Sequence, residues 1–112
     1  MTDDRLPTDF WLKAHIRRLS IEGIPVAVTH RGEAMGGMVM VKLNQLDLGC
    51  RVLTQQRGLD GNLGWLAAFE NKLVPEAEAD AYIARAVKRD PDVWVVEVED
   101  RAGRHLFDGK ML

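Results

Sequence analysis

The run Val93-Trp94-Val95-Val96 is the strongest constraint on what this chain can fold into. It is apolar at every position, so the strand it forms needs a sheet position covered on both faces. The segment continues as Glu97-Val98-Glu99, where valine alternates with glutamate and one face turns polar. The residues just before it read as a helix. Pro75 suits the first helical position, and Glu76 and Glu78 favour the positive end of the helix dipole. Ala79, Tyr82, Ile83, Ala86 and Val87 recur at i, i+3, i+4, i+7 and i+8 as one apolar stripe. Lys88 and Arg89 suit the negative end, and Asp90-Pro91 stops the helix.

A second helix is expected over residues 8–22. Thr8 is its N-cap, Pro7 blocks an earlier start, and Gly23 is the stop. Leu12, Ile16 and Leu19 form its stripe, flanked by Trp11 and His15, while Lys13, Arg17 and Ser20 point away. Strands are expected over 24–30, 38–43 and 50–56, with Pro25 confining the first to an edge. Short connections between them favour antiparallel hairpins. Gly58 to Gly64 is a loop, Trp65–Phe69 is taken as a fourth strand although its alanines and leucine suit a helix turn equally well, and Arg104–Phe107 reads as a short return strand. The expectation is an α+β fold in the order α-β-β-β-(β)-α-β-(β). An antiparallel sheet of four or five strands carries two helices on one face. The expected core is Leu12, Ile16, Leu19, Val26, Val28, Val39, Val41, Val52, Tyr82, Ile83, Ala86, Trp94, Val96 and Val98.

At 112 residues the chain is one domain, 1–112, with 1–7 as a disordered tail. A domain of this length buries roughly 65% of its unfolded surface, enough to fold without staples. Cys50 is the sole cysteine, so no internal disulfide forms. The acidic start Met1-Thr2-Asp3-Asp4-Arg5 lacks a signal-peptide pattern, and no apolar run is long enough for a membrane span. A cytoplasmic location and no membrane partner are the expectation.

Net charge is −2, unevenly spread. Residues 12–57 carry seven basic and three acidic side chains, and residues 58–112 carry seven and eleven. That split fits an anionic partner for the first half. It fits equally two halves that pack together and neutralise each other, which we favour.

The residue types present bear on several chemistries. Cys50 with His15 or His105 could form a thiol–imidazole pair, but no turn or helix N-terminus backs the cysteine. His15, His30 and His105 have no second ligand at metal-site spacing, so neither a metal nor a cofactor is assigned. The glycines around 32–37 lie in a hairpin, and those at 58–64 lack the lysine and hydroxyl of a phosphate loop. Glu97, Glu99, Asp100, Asp90 and Asp92 could make an acidic end, yet Glu97 and Glu99 alternate with valine as solvent-facing residues do. No catalytic residue is assigned, and the reading leans away from an enzyme.

In its last third the chain resembles a known family. Pro75-Glu76-Ala77-Glu78-Ala79-Asp80-Ala81-Tyr82, then Asp90-Pro91-Asp92-Val93-Trp94-Val95-Val96-Glu97-Val98-Glu99-Asp100, carry the resemblance. Trp11, Arg17-Arg18 and Lys42-Leu43-Asn44 extend it over nearly the whole chain. The family consists of short alphaproteobacterial proteins catalogued as domain of unknown function 1491. The resemblance implies a single bacterial cytosolic domain and brings no activity, cofactor or site residue.

Three functions remain in order. The first is a small non-enzymatic binding or adaptor domain acting through protein–protein contacts, with another protein or with its own copy as a homodimer. Met35, Met38 and Met40 provide an adaptable surface and Pro25 marks an open edge. The second is a nucleic-acid contact through Lys13, Arg17, Arg18, Lys42, Arg51 and Arg57. Against it stand a pI of about 5.9 and the absence of a stacking motif. The third is a small-molecule enzyme of unrecognised type.

Overall fold

The computed structural model describes residues 6–112. Two helices, α1 (Thr8–Ile21) and α2 (Glu76–Arg89), accompany six strands. These are β1 (Val26–His30), β2 (Val39–Asn44), β3 (Cys50–Arg57), β4 (Leu63–Ala67), β5 (Trp94–Glu99) and β6 (Lys110–Met111). They form one sheet in the order β1-β5-β2-β3-β4-β6. The fold is therefore α+β as expected. The sheet, however, is mixed and six-stranded, because β2–β5 and β4–β6 pair in parallel.

The correction has a local cause. Residues 31–38 do not close a hairpin between β1 and β2; they arch over the start of β5, which lies between those strands. Glu33 N–H donates to the Asp92 carbonyl at 2.9 Å, and Trp94 N–H donates to the Met38 carbonyl at 2.8 Å. Gly32 and Gly37 make the arch feasible. A Cβ on either would sit 2.1 or 2.2 Å from the Asp92 carbonyl oxygen, closer than any side chain tolerates. Trp94 Nε1–H closes the arch on the Glu33 carbonyl at 2.8 Å.

The helices also lie on opposite faces of the sheet, not on one. The α1 face buries Trp11, Leu12 and Leu19 against Val39, Val41, Leu43, Leu53, Trp65, Trp94, Val96 and Val98. The α2 face buries Ala79 with Met40, Cys50, Val52, Val93 and Val95. The double burial of β5 is the physical reason: a strand apolar on both sides needs a layer on each. Of the expected core, Leu12, Leu19, Val39, Val41, Val52, Trp94, Val96 and Val98 are buried. Ile16, Val26, Tyr82, Ile83 and Ala86 are half-buried, and Val28 on the edge strand is exposed.

Several boundaries differ. Pro7 occupies the N-cap of α1, and the Thr8 hydroxyl donates at 2.8 Å to the Gly37 carbonyl, tying the helix to the arch. The fourth strand ends at Ala67; Phe69, Glu70 and Asn71 then turn with φ of +54° to +61°, a left-handed turn built without glycine. The return strand is Lys110–Met111 and not 104–107, where Leu106 adopts φ +56°. Most of the expected N-terminal tail lies outside the described residues.

Candidate functional site

A concavity of about 230 Å³ on the α2 face lies between the C-terminal half of α2 and the ends of β2 and β3. It exists because α2 covers the sheet incompletely. Ala79 alone of its stripe is fully buried, and Tyr82, Ile83, Ala86 and Val87 remain half-exposed. Met38, Met40, Ala86 and Val93 give the groove an apolar lining, and Thr54, Gln55, Tyr82, Arg89 and Asp90 add polar groups. Met38 and Met40 share this face by strand alternation, with Met40 buried as core and Met38 exposed.

The Thr54 hydroxyl, the Tyr82 hydroxyl and the Arg89 guanidinium have no hydrogen-bond or ion-pair partner among the described residues, although the Tyr82 ring packs at a tilt against Phe69, 5.2 Å between centroids. Three unengaged polar groups therefore line an apolar trough, the composition of a recognition site. Across the Thr54–Leu66 pair lies a larger concavity of about 480 Å³, lined by Leu59, Leu66 and Leu112, with Arg57 and Lys110 beside them.

The other end of the α2 face is polar and closed. Lys42 Nζ, with 7% of its side chain exposed, lies 2.7 Å from Glu76 Oε2, 2.7 Å from Asp80 Oδ1 and 3.5 Å from Glu97 Oε1. Asn44 Nδ2 donates to Glu97 at 3.1 Å and links the same carboxylates. Burial works to lower the Lys42 pKa, but hydrogen bonds from the ammonium to Asp80 and Glu76, with the charge of Glu97, outweigh it and raise it. The ammonium thus stays protonated and serves as a clamp between α2 and the sheet, not as a nucleophile. Glu97 is correspondingly not the free solvent-facing residue its alternation implied.

Cys50 is buried beneath the start of α2, and burial pushes its thiol pKa up, the reverse of an activated nucleophile. His15 is buried, with Nδ1–H on the Trp11 carbonyl at 2.8 Å. Its Nε2 lies 3.2 Å from Asp108 Oδ2, at ion-pair distance but off the hydrogen-bond direction. Its ring stacks on Trp11 and Phe107. His30 engages the Val93 carbonyl on the opposite edge. His105 accepts the Phe107 N–H through Nδ1, and burial lowers its pKa. Among the described residues no three His, Cys, Asp or Glu side chains come together in a metal-binding arrangement.

The six basic residues of the expected surface are dispersed. Lys13 and Arg17 are exposed on α1. Arg18 donates to the Leu106 carbonyl at 3.0 Å and to Asp108 at 3.2 Å, strapping the C-terminal segment to α1. Arg51 binds Gln45 and the Asn71 carbonyl, and Arg57 binds the Gly61 carbonyl. Lys42 is enclosed on the other face by its carboxylates. Sequence reasoning missed Thr54, Tyr82 and Arg89, because a helix-end arginine and a stripe tyrosine look like ordinary capping and packing residues. Their signal is the excess of the α2 stripe over the sheet it covers.

No helix among the described residues is long and apolar enough to cross a membrane. Residues 6–108 match the family model described as protein of unknown function, DUF1491. The chain is similar to a DUF1491 family protein from Caulobacter crescentus CB15 seen in a crystal structure. Identity is 36% and the TM-score 0.85, over 96% of this chain and 99% of that one. An NMR structure of a DUF1491 family protein from the same organism gives 36% identity and a TM-score of 0.82, over 96% and 97%. Protein Atu0922 from A. tumefaciens shares the fold at 23% identity and a TM-score of 0.71, over 85% and 86%. No curated protein matches the chain.

Proposed function

The chain belongs to the DUF1491 family, whose function is unknown, and on that premise we propose that it is a non-enzymatic protein-binding domain that reads a partner through the groove beside α2. One observation carries this: the Arg89 guanidinium and the Tyr82 and Thr54 hydroxyls, without a partner among the described residues, border a methionine-lined trough. An apolar side chain fits the lining of Met38, Met40 and Ala86, since methionine adapts to irregular partners. A carboxylate on the same partner segment fits Arg89, whose planar fork favours bidentate pairing. The partner expected is a protein segment that joins an apolar residue to an acidic one.

The test compares capture from an alphaproteobacterial extract by the wild type, by Ala86→Trp, which fills the trough, and by Arg89→Glu, which inverts its charge. A protein retained by the wild type and lost from both variants supports the reading. Its retention by both variants overturns it.

A second reading, contact with nucleic acid, draws on Lys13 and Arg17, which are exposed on α1 with no partner among the described residues. It competes with the first through a measurement given in the Discussion.

A further inference from the structure

The outer edge of β1 is a second surface, independent of the groove. β1 terminates the sheet and pairs with β5 alone. Glu99 N–H donates to the Pro25 carbonyl at 3.0 Å, and Val26 stands opposite Val98, Ala27 opposite Glu97 and Val28 opposite Val96. Hydrogen-bonded and non-hydrogen-bonded pairs alternate in an antiparallel ladder. Pro25 and Ala27 therefore direct their backbone groups inward to β5, and Val26 and Val28 direct theirs outward. Those outward groups meet no other backbone among the described residues.

An edge of this kind is normally blunted by charge, proline or a bulge. Here the devices flank the strand and spare its middle. Pro25 precedes it, and the register shift with β5 falls after Val28. Between them Val26, Ala27 and Val28 carry no charge, and both Ala27 and Val28 are exposed.

We propose that this edge pairs with the same edge of a second copy of the chain, antiparallel about a two-fold axis through Ala27. The strand is self-complementary in that register. The N–H and C=O of Val26 meet those of Val28 in the second copy, and the reverse pair forms by symmetry. Ala27 faces its own copy in the close, non-hydrogen-bonded position, where a small side chain leaves room. Val26 lies beside Val28 of the second copy on the α1 face, so apolar surface is buried along with the backbone groups. Opposite charges flank the strand, with Glu22 at the C-cap of α1 before it and Arg31, which lies 5.3 Å over the Trp94 ring, after it. An antiparallel pairing brings the Arg31 end of one copy to the Glu22 end of the other. The dimer joins two sheets into one continuous sheet and leaves the α2 groove open on each copy.

Proline substitution separates this edge from the fold. Val28→Pro removes an N–H that points outward and leaves the β5 ladder intact. Light scattering and sedimentation on the full chain should give a concentration-dependent dimer for the wild type, and Val28→Pro should raise its dissociation constant by at least about tenfold. Ala27→Cys supplies a second readout that does not depend on that variant folding. Opposed cysteines at a close pair, about 4.5 Å between Cα atoms, fall in disulfide range, and Cys50 is buried away from the oxidant. Under an added oxidant Ala27→Cys should cross-link to a covalent dimer at least about tenfold faster than Ala84→Cys, which is exposed on α2. A wild-type monomer at every concentration, a dimer unaffected by Val28→Pro, or cross-linking no faster than the Ala84→Cys control overturns the proposal. None of these outcomes bears on capture by the groove.

Discussion

Lys42 Nζ stands 2.7 Å from Asp80 Oδ1, a contact that spans from the centre of the sheet to the first turns of α2. It joins a buried cation to carboxylates that are themselves half-exposed, Glu76 and Asp80 each at 55%. Lys42→Met should destabilise the fold by about 2 kcal/mol, below the 3–5 kcal/mol of a fully buried broken pair, because water screens the freed carboxylates. Urea denaturation at neutral pH measures it. The Lys42 pKa is raised on folding, so its contribution is complete below the unfolded lysine value, about 10.4, and is lost as pH rises through the higher folded value. Wild type and Lys42→Met should therefore keep a constant stability gap from pH 6 to about 10, closing only in stronger base.

Three glycines in the arch over β5 make an internal control. Gly32→Ala and Gly37→Ala push a methyl group onto the Asp92 carbonyl, whereas the nearest neighbour of a methyl at Gly36 is Glu33 Oε1, 4.0 Å away. The first two should each lose about 2–3 kcal/mol, and Gly36→Ala should stay within about 0.5 kcal/mol of the wild type. Equal losses at all three positions would show that the arch does not clasp β5.

Asp108 lies where the C-terminal segment crosses α1. Burial acts to raise its pKa, and the stronger combined action of Arg18 and His15 lowers it. A depressed carboxylate stabilises the fold above its unfolded value, about 3.9, and that contribution fades as pH falls through the lower folded value. Asp108→Asn should therefore weaken the protein at pH 7 and narrow its difference from the wild type below about pH 3. An NMR titration of the Asp108 carboxyl should give a midpoint below the ordinary aspartate range.

Generic RNA should not be retarded by the wild type in a gel at low salt, because the six basic residues are divided between the two faces and four of them are already hydrogen-bonded within the fold. A salt-sensitive shift abolished by Arg17→Ala with Arg18→Ala would replace the protein-binding reading with the nucleic-acid one.

The two helices and the positions of β1, β2, β3 and β5 were legible because each rests on a local pattern such as the α2 stripe, the α1 stripe or the valines of β5, whereas the two-residue β6 has none. The partnership of strands was not. No local pattern announces that β5 lies between β1 and β2, since the information resides in two glycines and a carbonyl some sixty residues apart. Lys42 misled for a related reason. A lysine in Met40-Val41-Lys42-Leu43 looks like the exposed member of an alternating strand, but both faces of β2 are covered and the charge is met by carboxylates from α2 and β5. The groove was hidden because its polar residues are unexceptional one by one and become a site only through the space left between α2 and the sheet.

The position of β5 also dictates the order in which this protein can assemble. β1 has no neighbour in the sheet except β5, so the first strand in the chain waits for the fifth. Until Trp94–Glu99 arrives, β1 and β2 each present an unpaired side, and the pairing that closes them spans most of the sequence. Such non-local closure slows folding and prolongs exposure of sticky edges. A nascent or truncated chain lacking that one strand has a hole through the middle of its sheet, and the missing piece is a strand buried on both faces.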